Sequence, residues 1–193
     1  WCSEHPAYAQ AITGNAAKSK KAREALGPAG VKTDALMREQ LPVWFAAVQG
    51  LPNRAHAAYL QTLLLTGARP GEVLKIQWED INTEWRGLTL RDKDESKGGI
   101  DGMRTIPLTP YVASIINALP RRGPYVFTGT DADQAMSTPH KALERVCSVA
   151  GVTVTLHGLR RSFKSLTEWL EVPVGVVAQI QGHKPSATAE KHY

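Results

Sequence analysis

The sequence predicts a mainly α-helical (α+β) domain with a small antiparallel sheet. Apolar residues recur at helical spacing between residues 42 and 76 and again between 111 and 180, whereas residues 78–108 form short segments rich in alternating and β-branched residues. Glycine and proline separate these segments at the places where helices commonly begin and end. With 193 residues, 42% of them hydrophobic, the chain is long enough to bury a sizeable core.

The first helical region begins after a glycine- and proline-containing stretch. Thr33 and Asp34 are predicted to cap a helical segment, since their side-chain oxygens can accept hydrogen bonds from free backbone N–H groups. Pro42 suits the first turn of a second helix, where a proline costs no hydrogen bond. We therefore expect two helical segments before residue 50.

A conspicuous turn follows the most apolar helix. The pattern from Arg54 to Thr66 predicts a buried helix that ends at Gly67, a residue suited to the left-handed conformation of helix ends. Pro70 then starts the next helix. Arg69 is thereby expected at a corner between two helices, beside backbone N–H groups that favour an anion.

The middle segment predicts a hairpin, and helices return after it. Residues 85–91 and 103–108 have the composition of strands, and their polar, glycine-rich connection, 92–102, carries Lys97 near its centre. Further helices are expected at 111–119, 137–151, 157–171 and 174–180, with Ser186 capping a last one.

Composition excludes several classes of protein. The sequence contains no run of 18 apolar residues that could span a membrane, and the N-terminus lacks the layout of a signal peptide. Cys2 and Cys147 are the only cysteines, too few and too far apart for a disulfide framework or a zinc site, which indicates a reducing cytoplasm. The net charge of +5 and a pI near 9.3 are compatible with a polyanionic partner.

Two regions are expected along the chain. Residues 1–30 are interpreted as the end of a preceding domain followed by a basic linker, and residues 31–193 as the main domain. Because the chain begins at Trp1 rather than methionine, we expect it to be a fragment of a longer protein. The linker cations are either a solubilising tether or a strap across DNA phosphates; they are Lys18, Lys20, Lys21 and Arg23.

Two residues of the predicted helix 157–171 could act on a phosphate. His157 and Arg160 are three residues apart and would share one helix face, offering a proton-transfer group and a guanidinium fork. The simpler interpretation of such a pair is a solvated helix face, and the neighbouring Arg161 shows that arginine is ordinary here.

Three further residues have both a structural and a functional interpretation. Arg69 at its turn could form an ion pair with Glu72 at i+3, bind an anion, or do both. His183 could contact the C-terminal dipole of a helix, and Lys97 could simply be solvated. Each residue alone favours the structural interpretation.

Together, these motifs resemble one family. Over residues 31–193 the chain resembles the catalytic domain of tyrosine recombinases, specifically phage and prophage integrases. The resemblance rests on five motifs in this order: the turn at Arg69, the hairpin lysine, an HxLR motif at residues 157–160, a GH motif at residues 182–183 and the terminal tyrosine. The resemblance implies a fold of the DNA breaking-rejoining type, with a helical catalytic domain and a small three-stranded antiparallel sheet.

The resemblance also assigns roles to residues. It implies catalytic roles for Arg69, Lys97, His157, Arg160, His183 and the nucleophile Tyr193, a supporting role for Glu72, and DNA binding by Arg161 and the four linker cations. Lys93 is the alternative to Lys97 as the hairpin general acid. Tyr193 follows His183 by ten residues, where the family commonly has nine.

The implied activity is site-specific cleavage and rejoining of DNA through a covalent 3′-phosphotyrosine. No metal or cofactor is expected, because the sequence has neither the clustered carboxylates of a two-metal nuclease nor a GxxxxGK[ST] loop. The expected partners are double-stranded DNA attachment sites, three further subunits in a homotetramer on DNA, and DNA-bending accessory proteins, all in the cytoplasm of a bacterial host. The fragment alone is compatible with a monomer.

Three alternatives follow from the same residues. A type IB topoisomerase would relax supercoils by similar chemistry without a defined site. A non-catalytic DNA-binding module of the same fold would bind DNA without covalent attachment, and a basic helical interaction protein would not cleave DNA at all.

Overall fold

The computed structural model describes residues 21, 24–25, 32–91 and 102–183. The chain divides into two compact units, Trp1–Thr33 and Asp34–Tyr193. The second unit contains all the elements discussed below. Among the residues that the structure describes, none belongs to a helix long and apolar enough to cross a membrane.

The second unit is mainly helical, as predicted. Its described α-helices are α1 (Leu41–Gln49), α2 (Arg54–Thr66), α3 (Pro70–Leu74), α4 (Pro110–Asn117), α5 (His140–Ala150), α6 (Leu156–Trp169) and α7 (Val174–Gln181). Single 3₁₀ turns cover Arg38–Gln40 and Trp78–Asp80. The strands are β1 (Ile81–Asn82), β2 (Gly87–Arg91) and β3 (Met103–Pro107), paired antiparallel in the order β1-β2-β3.

The central helix, α2, has the predicted bounds because its ends are chemically marked. The side chain of Asn53 accepts hydrogen bonds from the first backbone N–H groups, and Gly67 ends the helix in the left-handed conformation at φ +60°. Helices α1, α4 and α6 pack around α2. Its Tyr59, Leu60 and Leu63 are fully buried, so α2 forms the middle of the core.

The sheet shows the period of two that its sequence predicted. Leu88 and Ile106 are paired across β2 and β3 and are buried, whereas Thr89 and Thr105 pair on the other face with their hydroxyls 3.3 Å apart. The pair that follows Leu88 and Ile106 on the core-facing side joins Leu90 to Arg104. An arginine side chain therefore points inward from β3.

The predicted helix cap at Thr33 and Asp34 is wrong. Residues 32–37 have no regular structure, and the helical turn that follows them begins at Arg38. The Asp34 carboxylate instead accepts a hydrogen bond from Thr155 Oγ1 at 2.5 Å and a fork of two from Arg161. The carboxylate oxygens of Asp34 therefore bind Thr155 and Arg161, which are distant in sequence, and do not cap a local helix.

The segment carrying Asp34 is fastened along α6. The backbone N–H of Leu36 donates to Ser162 Oγ at 2.7 Å. A Cβ atom at Gly158 would lie 2.2 Å from the Asp34 carbonyl oxygen, so the segment packs directly on the helix backbone there. We call residues 34–36 the entry strap.

Gly67→Ala should destabilise the fold by about 2 kcal/mol. The left-handed conformation disfavours a side chain, and a Cβ atom would lie 2.3 Å from Cδ1 of Phe163. Urea unfolding would measure the loss. The matched control is Gly71→Ala, where an added methyl meets nothing within 4 Å and alanine favours the helix by up to about 1 kcal/mol; equal stability of the two variants would contradict the prediction.

Asp34→Asn should lower the free energy of unfolding by roughly 1 kcal/mol at neutral pH. Hydrogen bonds from Thr155 and Arg161 hold the pKa of Asp34 below its ordinary value. The stabilisation is therefore present above the unfolded pKa of about 3.9 and is lost as the pH falls through the folded pKa.

Urea unfolding of both proteins between about pH 7 and about pH 2 would test this, since the difference should shrink as the pH falls. The exposed Asp133→Asn is the control, expected to change stability little at either pH. A difference between wild type and Asp34→Asn that stays constant with pH would refute the role of the carboxylate charge.

Candidate active site

The turn between α2 and α3 holds Arg69 and Glu72 in one hydrogen-bonded unit. Arg69 is the N-cap of α3, and its backbone N–H donates to Glu72 Oε2 at 2.8 Å, the reach-back contact of a helix-capping carboxylate. Its guanidinium Nη1 donates to Glu72 Oε1 at 2.7 Å. The ion pair considered from the sequence therefore exists, and it orients the arginine at the corner.

Arg160 joins this turn to the end of α7. Its Nη1 donates to the carbonyl of Gly67 at 2.6 Å, and its Nη2 donates to the carbonyl of Gln181 at 2.7 Å. The Gln181 side chain returns a hydrogen bond to the Arg160 carbonyl at 2.9 Å. The two predicted arginines thus belong to one junction of three helices.

His183 lies at the same junction. Its Nε2 is 3.1 Å from Arg160 Nη2, and because a guanidinium only donates, Nε2 is the acceptor and Nδ1 carries the proton in the neutral ring. Burial lowers the pKa of His183, and the charges of Arg160 and Arg69 lower it further. The imidazole is therefore neutral at pH 7.

Glu72 is the buried carboxylate of the site, 5% exposed. Burial by itself would raise the pKa of Glu72, but hydrogen bonds from Arg104 and from the Arg69 backbone outweigh it and lower the pKa overall. Glu72 is therefore ionised at neutral pH and compensates part of the positive charge around it.

Arg104 is a member of this cluster that the sequence analysis missed. Its Nη1 and Nη2 donate to the two oxygens of Glu72 at 3.0 and 2.6 Å, and its Nε donates to the carbonyl of Ile180 at 3.0 Å. The available signal was the alternation of β3, which puts Arg104 on the same inward face as Ile106.

His157 and Arg160 both lie on α6, as predicted. His157 is exposed in the first turn of the helix. Thr155, two residues before it, caps the helix by accepting a hydrogen bond from the Gly158 N–H. His157 also lines a largely apolar groove of about 590 Å³ together with Pro70, the residue that follows Arg69. The described chain offers no group of three His, Cys, Asp or Glu residues arranged to hold a metal ion.

The remaining predicted residues divide into two groups. Outside the described residues lie Lys97, its alternative Lys93, Tyr193, Lys18, Lys20 and Arg23. Lys21 is described and exposed, and Arg161 is engaged by Asp34 of the entry strap. DNA binding by these residues stays a prediction.

Known proteins share this sequence pattern and fold. Residues 36–193 match the model of the phage integrase family. Prophage integrase IntF of Escherichia coli K12 is 41% identical over 202 residues, covering 100% of this chain and 42% of that protein. Tyrosine recombinase XerA of Pyrococcus furiosus is 34% identical over 155 residues, 74% of this chain and 52% of that protein.

A solved structure has the same fold. The crystal structure of a lambda integrase dimer bound to a COC′ core site is similar with a TM-score of 0.67 at 18% identity, over 93% of this chain and 52% of that one. The chain spans about half the length of the curated relatives it matches. From the family match and the identity to IntF, this chain belongs to the phage integrase family.

Proposed function

We propose that this chain is the catalytic part of a site-specific DNA recombinase, an integrase of a phage or other mobile element. The observation that carries the proposal is the junction of Arg69, Arg160 and His183: Arg160 donates a hydrogen bond to the carbonyl of Gly67, two residues before Arg69, and contacts His183, whose pKa the charges of both arginines lower. Such an array matches the needs of a phosphodiester whose non-bridging oxygens gain charge during attack.

Arginine suits this task because its charge is permanent and its donors are parallel. Arg69 and Arg160 would clamp the two non-bridging oxygens of the scissile phosphate, exchanging some of their present contacts for the DNA. His183 would add a neutral donor through Nδ1–H. Its lowered pKa favours this neutral form at neutral pH.

The residues of the family motifs supply the nucleophile, the proton acceptor and the proton donor of the cleavage step. The oxygen of Tyr193 forms a bond to phosphorus as the bond from phosphorus to the DNA 5′-oxygen breaks. The tyrosine proton passes to His157, because a phenol with a pKa of about 10 needs a base at neutral pH. The departing 5′-oxygen takes a proton from Lys97, or from Lys93 in its place.

The product is a 3′-phosphotyrosine, which preserves the phosphodiester energy in a covalent bond. Attack by the 5′-hydroxyl of a second strand reverses the step and joins new DNA ends. The proposal needs neither a metal ion nor a nucleotide cofactor.

The partners follow from the same proposal. The chain would act on double-stranded attachment sites, and the lambda integrase dimer bound to a core site supports DNA as the partner. A homotetramer on DNA, DNA-bending accessory proteins and action in the bacterial cytoplasm complete it. The integrase and recombinase relatives do not favour topoisomerase activity or a non-catalytic module.

Tyr193→Phe in the full-length protein should abolish covalent attachment to DNA while leaving DNA binding nearly unchanged, since only the nucleophilic oxygen is removed. A nicked suicide duplex containing the candidate attachment sequence would trap the adduct of the wild type, and gel mobility would report binding. A covalent complex formed by the Phe variant would sink the assignment.

Arg69→Lys should slow cleavage on the order of 100- to 1,000-fold, nearly as much as Arg69→Ala. Lysine keeps the charge but cannot hold Glu72 and a phosphate with a planar fork. Single-turnover cleavage of the suicide duplex gives the rate. The control is Arg145→Lys, which changes an exposed arginine of α5. Cleavage by Arg69→Lys as fast as that by this control would refute the bidentate role.

A further inference from the structure

Arg104 lies behind the proposed phosphate site rather than in it. Its side chain is 16% exposed, against 37% for Arg69. Both guanidinium groups contact the same carboxylate of Glu72, but Arg69 retains the larger exposed surface. A ligand entering the site would therefore meet Arg69 and leave Arg104 covered.

The Arg104 guanidinium connects Glu72 to the last turn of α7. Through Nη1 and Nη2, Arg104 holds both oxygens of Glu72, the carboxylate that orients Arg69. Through Nε, it holds the carbonyl of Ile180 in the last turn of α7. Arg69 and the helix end before His183 are thereby fixed relative to one strand, β3.

The C-terminal end of α7 packs closely against the Arg104 side chain. Gly182 ends α7 at φ +67°, and a Cβ atom there would lie 2.7 Å from Arg104 Nη1. The guanidinium thus packs against the backbone of the turn that leads to His183. A residue with a side chain at position 182 would displace Arg104 or the turn.

Charge is the second reason for an arginine here. Glu72 is almost fully buried, and an ionised buried carboxylate is costly unless cations hydrogen-bond to it. Arg104 supplies the largest favourable contribution to the lowered pKa of Glu72. It therefore favours the ionised form of Glu72 in addition to the contacts from Arg69.

We propose that Arg104 is a positioning residue for the cleavage reaction, which holds Glu72 and the last turn of α7 so that Arg69 and His183 present their donors to one phosphate. The inference rests on the proposed function. A lysine could supply the charge at this place but not three hydrogen bonds in fixed directions.

The test uses the full-length protein with Arg104→Lys, Arg104→Gln and the control Arg145→Gln, which changes an exposed arginine of α5. Three quantities are measured: the dissociation constant for the attachment duplex, the single-turnover cleavage rate on the suicide duplex, and urea unfolding. Arg104→Lys should bind DNA within about threefold of wild type but cleave it on the order of 100-fold more slowly, the loss expected when reacting groups are misplaced by about 1 Å.

A split between binding and cleavage separates positioning from a purely structural role. Loss of DNA binding and cleavage together, in proportion to lost stability, would overturn the inference. Cleavage by Arg104→Lys as fast as that of the control would do so as well, because it would show that charge alone suffices.

Whether Arg104 acts through Glu72 is tested by combining substitutions of the two residues. If Arg104 acts through the carboxylate, the Glu72→Gln and Arg104→Gln double variant should cleave faster than the product of the two single losses predicts. Losses that multiply fully would mean that the two residues act independently, against the proposal.

A final measurement does not depend on cleavage. Among the residues that the structure describes, the charges of Arg160, Arg69, Lys164 and Arg104 act on His183, Glu168 lines the same pocket, and Glu72 pairs with Arg104. NMR titration of His183 should show a higher pKa in Arg104→Gln than in wild type, because a nearby cation has been removed, and no change in Arg145→Gln.

An unchanged titration of His183 in Arg104→Gln would overturn the inference even if the protein proves inactive. Failure of the wild type to form a covalent adduct would instead count against the proposed function. The two failures are therefore distinguishable.

Discussion

The buried carboxylate of Glu72 is the constraint around which the site is built. Its oxygens accept four hydrogen bonds, two from Arg69 and two from Arg104. A charge in a core needs such partners, because the interior cannot replace the water it has lost. The two arginines come from a helix corner and from a strand, so satisfying one carboxylate fixes the relative placement of α3 and β3.

A second junction extends this arrangement to the helices α6 and α7. Arg160 satisfies the carbonyls of Gly67 and Gln181, which are available because each lies at the end of a helix. The same guanidinium meets His183 just beyond. Helix ends therefore provide the acceptors that hold the cations in place, and the cations hold the helix ends together.

Local chemistry explains which features could be predicted from the sequence. The helix Arg54–Thr66 and the turn at Gly67 follow from apolar spacing and a conformational preference that act within a few residues. Asp34 was assigned to a cap because its true partners lie more than a hundred residues later, at Thr155 and Arg161. Arg104 was missed for a related reason: an arginine in a strand gains meaning only when the distant carboxylate it meets is known. The order of motifs indicated the family, whereas the pairing among cations depends on tertiary contacts.

The entry strap has a consequence for how this protein can vary. Gly158 stands between His157 and Arg160 in the chain, on the helix that both occupy, and the backbone of Asp34 lies where its side chain would be. A mutation of this glycine would force the strap outward and shift the helix on which the histidine and the arginine are mounted. Position 158 therefore has no room for a side chain while the entry strap keeps this path. The backbone path of the entry strap and the absence of a side chain at position 158 depend on each other.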